Sequence, residues 1–139
     1  MSYAVLILWL LAAAVGATVL LRWLRRRRPG SAFPARLVAT HLVTAVAGLS
    51  LWVGHLATGS LVLAWLAFAV LNVTNGVGDA ILTGRWRALA GAGPSWIADY
   101  RQAVLGVLKG RHPRSAVLHG LLGGLTFFST LVACLVATV

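Results

Sequence analysis

An all-α, integral membrane four-helix bundle is the fold this sequence predicts, and three observations predict it. The 139 residues are 60% hydrophobic and 10% charged, with a mean hydropathy of +0.90, which is no soluble composition. Four apolar stretches of about 20 residues, the length a helix needs to cross a bilayer, run roughly over 3–24, 33–56, 61–83 and 115–138. The basic residues fall into two groups, Arg22 to Arg36 and Arg85 to Arg114, which flank the first and third connections between those stretches. In a four-span chain both connections lie on one side of the membrane, and the other side carries no Lys or Arg. The positive-inside rule then places connections 25–32 and 84–114 in the cytoplasm and both termini outside.

The first span, Tyr3 to Leu24, has no ionisable group before Arg22 and offers Ala12/Gly16 and Ala13/Ala17 as small-residue pairs for close packing against a neighbour. Its run is too long for a signal-peptide core and lacks a basic leader, so the arginines behind it read as a stop-transfer signal. Pro29 and Gly30 end that helix, and Pro34 suits the start of the next. The second span ends at a short turn over Thr58 and Gly59, which predicts an antiparallel hairpin with the third.

That second span is unusual in carrying histidines at both ends. His41, Thr44, Gly48, Trp52 and His55 recur at helical spacing and form one stripe about 21 Å long. The third span carries Asn72, Asn75, Asp79 and Thr83 on one face. An ionisable group inside a membrane is costly and usually faces the bundle interior or a water-filled cavity, so Asp79 is a functional candidate; pairing with Arg85 or Arg87 at the helix end is the plainer reading. Between the third and fourth spans, Gly91, Gly93 and Pro94 break the chain and Ser95 caps a short amphipathic helix over 95–110. Its Trp96, Tyr100, Val104, Val107 and Leu108 would lie in the membrane interface, with Asp99, Arg101, Gln102 and Lys109 on the wet side. His112, in the basic loop that follows, is expected to be solvated, and neutralising Asp99 is expected to matter less than neutralising Asp79.

The fourth span repeats the second. Arg114 precedes His119 by five residues, as Arg36 precedes His41, and Gly123, Thr126 and Thr130 continue the His119 face. Counting from the arginines, His41, His119 and Asp79 all sit about 7 to 9 Å from the inner surface. In an up-down bundle the second and fourth spans are diagonal, so His41 and His119 face each other. Gly48, Gly120, Gly123 and Gly124 would leave room between them for a flat ligand. Two histidines so placed could hold a b-type haem by both axial positions.

This arrangement of spans and histidines resembles the general architecture of the cytochrome b and cytochrome b561 membrane haem proteins. The resemblance implies one haem b on His41 and His119, and an electron-transfer or respiratory accessory role. It supports no second haem, because Ala133 stands where a partner for His55 would be. Two other readings of the residues stay open: a proton-handling cluster of His41, His119 and Asp79, and histidines that only pack and hydrogen-bond.

Composition narrows the remaining classes. A net charge of +10 and pI ≈ 11.9 would suggest nucleic acid in a soluble protein, but the one-sided placement assigns the charge to orientation and to anionic lipid headgroups instead. Cys134 is the only cysteine, which excludes an intramolecular disulfide and an iron–sulfur cluster held by this chain alone. Copper lacks soft ligands, Met1 being the only methionine; zinc would need His41, His119, Asp79 and a water. No hydrolase or phosphate-loop motif is present. The small multidrug transporters share this length and span number but depend on a carboxylate in the first span. A small oligomeric transporter using Asp79, or a scaffold subunit assembling with itself or with other membrane subunits, is the alternative to the haem reading. The bias to Ala, Arg, Gly and Val, with one Lys and no Glu, suits a bacterial cytoplasmic membrane.

Overall fold

The computed structural model describes residues 1–25 and 34–139 and is all-helical. Helix α1 spans Ser2–Arg25, α2 Ala35–Thr58, α3 Leu61–Ala90, α4 Trp96–Leu108 and α5 Arg114–Thr138. The four long helices are each long and apolar enough to cross a membrane, and are compatible with a multi-pass membrane protein. Pro29, Gly30 and the Arg26 to Arg28 run lie outside the described residues. Pro34 stands at the N-cap of α2, where its missing N–H costs nothing.

Three helices begin and end within two residues of their expected bounds, but α3 continues seven residues past Thr83. Gly84 alone does not stop it, and the helix ends at Gly91, whose φ of +84° only glycine adopts without strain. The connection expected from residue 84 therefore starts at residue 91. At the other end of α3 a tight turn joins it to α2: Gly59 takes the left-handed conformation at φ +72° and its N–H donates to the carbonyl of His55.

Helices α2 and α3 form one extensively packed pair and α1 and α5 the other; α3 also packs on α5, and α1 on α2. All four converge near the α2–α3 turn. There Val5 and Trp9 of α1, Trp52 of α2, Ala64, Ala67 and Leu71 of α3, and Ala133 and Cys134 of α5 make the core. Trp9 and Trp52 pack at 6.2 Å between ring centres. The Trp52 indole donates to the Ser2 carbonyl and the Trp65 indole to the Thr138 hydroxyl, so both chain ends are tied at this turn end. At the opposite end lie the arginines and α4.

Polar side chains inside the long helices are satisfied locally. The hydroxyls of Thr18, Thr44, Thr58, Thr74, Thr83, Thr126, Thr130 and Thr138 each donate to the carbonyl four residues earlier. A hydroxyl bonded this way costs little to remove from water. The outward surface is correspondingly apolar, with residues such as Ile7, Leu10, Val43, Val62, Leu66, Phe128 and Val132 exposed.

Helix α4 begins as expected, with the Ser95 hydroxyl accepting from Ala98 N–H. Its packing differs from expectation. The face against the rest of the protein is Asp99, Ala103 and Gly106, so Asp99 is not on a wet face: it is 3% exposed. Its carboxylate accepts from the Gly93 N–H at 2.8 Å and pairs with Arg87 Nε at 3.0 Å. The charge on Arg87 exists at that place because α3 runs on past Thr83. His112 is likewise not solvated. It is 5% exposed, tilted against Trp86 of α3 with 6.0 Å between ring centres, and pressed against Gly106 of α4.

Candidate functional site

Two imidazoles from different helix pairs meet in the arginine-side half of the protein. The ring centres of His41 and His119 are 6.0 Å apart with their planes at 78°. Each ring is held by the helix its own helix packs against most extensively: His41 Nδ1 lies 3.0 Å from the Thr74 carbonyl of α3, and His119 Nδ1 lies 3.0 Å from the Ala12 carbonyl of α1. A carbonyl can only accept, so both Nδ1 atoms carry the proton. In the neutral form of each ring Nε2 is then the nitrogen that carries the lone pair.

The two histidines are seated by the same local device. A helical carbonyl already accepts from the N–H four residues on, and its second lone pair is normally crowded by that residue's side chain. Four residues after Ala12 stands Gly16, and four after Thr74 stands Gly78. A Cβ at Gly16 would lie 2.7 Å from His119 Cε1, and one at Gly78 would lie 3.2 Å from His41 Cε1. The missing side chains thus clear a notch through which each imidazole reaches the backbone. The Ala12/Gly16 pair accordingly serves close packing as expected, against α5, while Gly78 was passed over because nothing in α3 alone marks it. The signal that could have found both is a small or polar residue followed four later by glycine, on a helix facing a histidine.

The glycines expected to make room for a ligand mostly do other work. Gly48 is filled by the Trp9 ring, Gly120 and Gly124 face no neighbouring atom, and Gly123 lies near the Asn75 amide. Room is present on the α1–α2 side, where a cavity of about 320 Å³ is lined by His41, His119, Gly16, Gly78, Thr74, Asn75, Gly123 and Thr126, with Trp9 and Trp23 towards its ends. That volume is at the lower end of small-molecule pockets.

The remaining candidates separate from this pair. His55 is buried at the turn end, its Nδ1 3.0 Å from the Ser60 carbonyl and its ring 5.0 Å from Trp52, where it braces the α2–α3 turn. Thr44 bonds only within its own helix, to the carbonyls of Thr40 and His41, and the buried Thr126 to that of Leu122. The polar face of α3 divides, with only Asn75 turned to the cavity of the histidines. Asn72 is exposed and donates to the Phe68 carbonyl, Asn75 reaches the cavity, and Asp79 accepts at 3.2 Å from the Tyr100 hydroxyl of α4. That face lies about 100° round the helix from Leu71 and Thr74, so α4 covers Asp79 and Thr83 but stops short of Asn72. Burial, with the Asp79 carboxylate adding to it, holds the Tyr100 phenol above its ordinary value, so it remains a donor. Asp79 therefore joins no cluster with His41 and His119.

Among the described residues no three His, Cys, Asp or Glu side chains converge as a metal site would require. The described residues bring only two histidines together here, His41 and His119. A metal held between two imidazole nitrogens at about 2 Å each places the ring centres roughly 6 Å apart, as they are here. Comparison with protein-family models, with curated proteins and with solved structures finds no match to this chain.

Proposed function

We propose that this chain is an up-down four-helix membrane bundle that binds one haem b between His41 and His119, serving as an electron carrier or accessory subunit in a cytoplasmic membrane. The observation that carries the reading is the pair of imidazoles with ring centres 6.0 Å apart, each with Nδ1 tied to a backbone carbonyl, which leaves Nε2 as the nitrogen available to a metal. A backbone acceptor on the outer nitrogen is what fixes the tautomer and orientation of a metal-ligating histidine. Room beside the histidines is supplied by the apolar cavity on the α1–α2 side, while Gly16 and Gly78 seat the two imidazoles.

Bound there, a haem supplies a one-electron couple. The chain's own residues would hold its axis: α3 anchors His41, α1 anchors His119, and Trp9, Ala45, Leu49 and Leu71 keep water from the site. In the membrane, α1, α2, α3 and α5 span, both termini lie outside, and the arginine end with α4 faces the cytoplasm and anionic headgroups. A transporter using Asp79 is less well supported, because that carboxylate is engaged by Tyr100 and does not line the cavity.

The test is a spectrum. Protein purified from a haem-sufficient host should show a Soret band and, when reduced, the bands of low-spin six-coordinate haem b. His41→Ala and His119→Ala should each abolish that signature, whereas His55→Ala, some 21 Å along α2 from His41, should retain it. A colourless wild-type protein would exclude the haem and leave the pair as a packing element.

A further inference from the structure

The cavity is open sideways. Helices α1 and α2 are the least extensively packed of the adjacent long helices, and their contact is concentrated at the turn end, where Trp9 sits on Gly48 and beside Trp52 and the Trp52 indole bonds Ser2. Beyond Trp9 the two helices part. Ala13 and Ala17 of α1 and Leu42 and Val46 of α2 line the cavity and are at the same time exposed. These four are the jambs of a fissure leading from the outer surface to His41 and His119. Ala13 and Ala17 are spaced to receive another helix closely, yet among the described residues no helix covers them. Their small side chains instead keep the fissure open.

The jambs are all apolar, and the sequence places no charged residue between Leu6 and Leu20 of α1 or between Leu37 and Ala57 of α2, apart from the histidines themselves. In the orientation proposed above, the fissure therefore opens into the hydrocarbon of the bilayer, not into water. We infer that the site is loaded laterally from the membrane: the tetrapyrrole reaches the two imidazoles dissolved in lipid, passing between α1 and α2 at the level of Ala17 and Val46. This rests on the haem reading for the identity of the ligand, but the portal itself is a property of the α1–α2 fissure. The one side chain change that should close it without touching the imidazole seats is a larger residue at Ala17, which stands next to Gly16 in sequence but faces the opening.

Loading kinetics test the portal. Apo protein in liposomes is mixed with donor liposomes carrying haem, and the Soret band is followed in time. Ala17→Leu should slow uptake roughly tenfold, while the same variant expressed with haem present acquires the wild-type spectrum during synthesis. Leu121→Phe, an equal burden on the exposed face of α5, should load at the wild-type rate. Uptake by Ala17→Leu at the rate of the wild type, or equal slowing by both variants, overturns the lateral route. A wild-type protein that never acquires haem sinks the haem reading alone, and the portal is then read without it. In a Cys134→Ala background, Ala45→Cys on the cavity wall should be alkylated by a long-chain maleimide dissolved in the bilayer, and adding Ala17→Leu should slow that reaction roughly tenfold. Equal alkylation rates with and without Ala17→Leu overturn the portal.

Discussion

The carboxylate of Asp99 meets the Gly93 N–H on one oxygen and the Arg87 guanidinium on the other, so one side chain ties the α3–α4 loop to the end of α3 and to α4. Replacing it by Ala leaves the Gly93 N–H without its acceptor and Arg87 without its counter-charge. Arg87 is 43% exposed and Gly93 is exposed too, so both can turn to water, and the loss is that of the net hydrogen bond tying the loop to α4, about 0.5–1.5 kcal/mol. Asp79→Asn, by contrast, keeps a carbonyl oxygen for the Tyr100 hydroxyl. Thermal unfolding in detergent should therefore place Asp99→Ala below wild type and Asp79→Asn close to it; equal losses would contradict this account of Asp99. The reverse order is what a sequence reading gives, since an aspartate inside a span looks costlier than one in an amphipathic helix. The ranking turns over because α4 buries the face bearing Asp99 and supplies Tyr100 to Asp79.

At the scale of elements, α4 is held to α3 by three side-chain ties: Arg87 to Asp99, Tyr100 to Asp79, and the burial of His112 against Trp86 and Gly106. The last is sensitive to protons. Neither His112 nitrogen has a hydrogen-bond partner, Arg85 of α3 adds positive charge nearby, and Arg111 and Arg114 flank it in the chain. Burial pushes its pKa below the ordinary histidine value; the nearby Ala103 carbonyl opposes that in part, and the Arg85 charge adds a smaller push down. A group whose pKa is lower folded than unfolded binds fewer protons when folded. The docking it contributes is therefore complete above about pH 6.5 and is lost as the pH falls below that value, through the depressed pKa. Wild-type stability should fall between pH 7 and 5 more steeply than that of His112→Phe, which keeps the aromatic contact and cannot titrate. Parallel pH profiles for the two proteins would refute this role of His112. The histidine was assigned to solvent because its sequence neighbours are basic and Pro113 follows; nothing local signals that Trp86, 26 positions earlier, covers it.

For the whole molecule, the prediction concerns orientation. Among the described residues, all Lys and Arg lie at the end of the bundle opposite the α2–α3 turn and the chain termini, so that end should face the cytoplasm. Single cysteines at Ser31 and Ala92, in a Cys134→Ala background, should resist an impermeant maleimide added to intact cells and react once the membrane is opened. Labelling at either site from outside would invert the bundle and place the histidine pair near the outer surface.

Hydropathy is a sum over residues, and a sum can be read from one dimension. That is why the count of long helices, their bounds to within two residues except at the end of α3, and the one-sided distribution of arginine were legible in the sequence. Distance along a helix is equally linear, so the spacing of Arg36 to His41 and Arg114 to His119 placed both histidines at one depth. Rotation about a helix axis is different, because it is settled by all neighbours together. The expectation that His41 faces His119 came from span order, but only the packed structure matched them to the Thr74 and Ala12 carbonyls beside Gly78 and Gly16, and swung Asp79 away to Tyr100. The same joint packing left α1 and α2 apart over Ala17 and Val46, since helices paired so extensively as α1 with α5 and α2 with α3 cannot also close completely against each other.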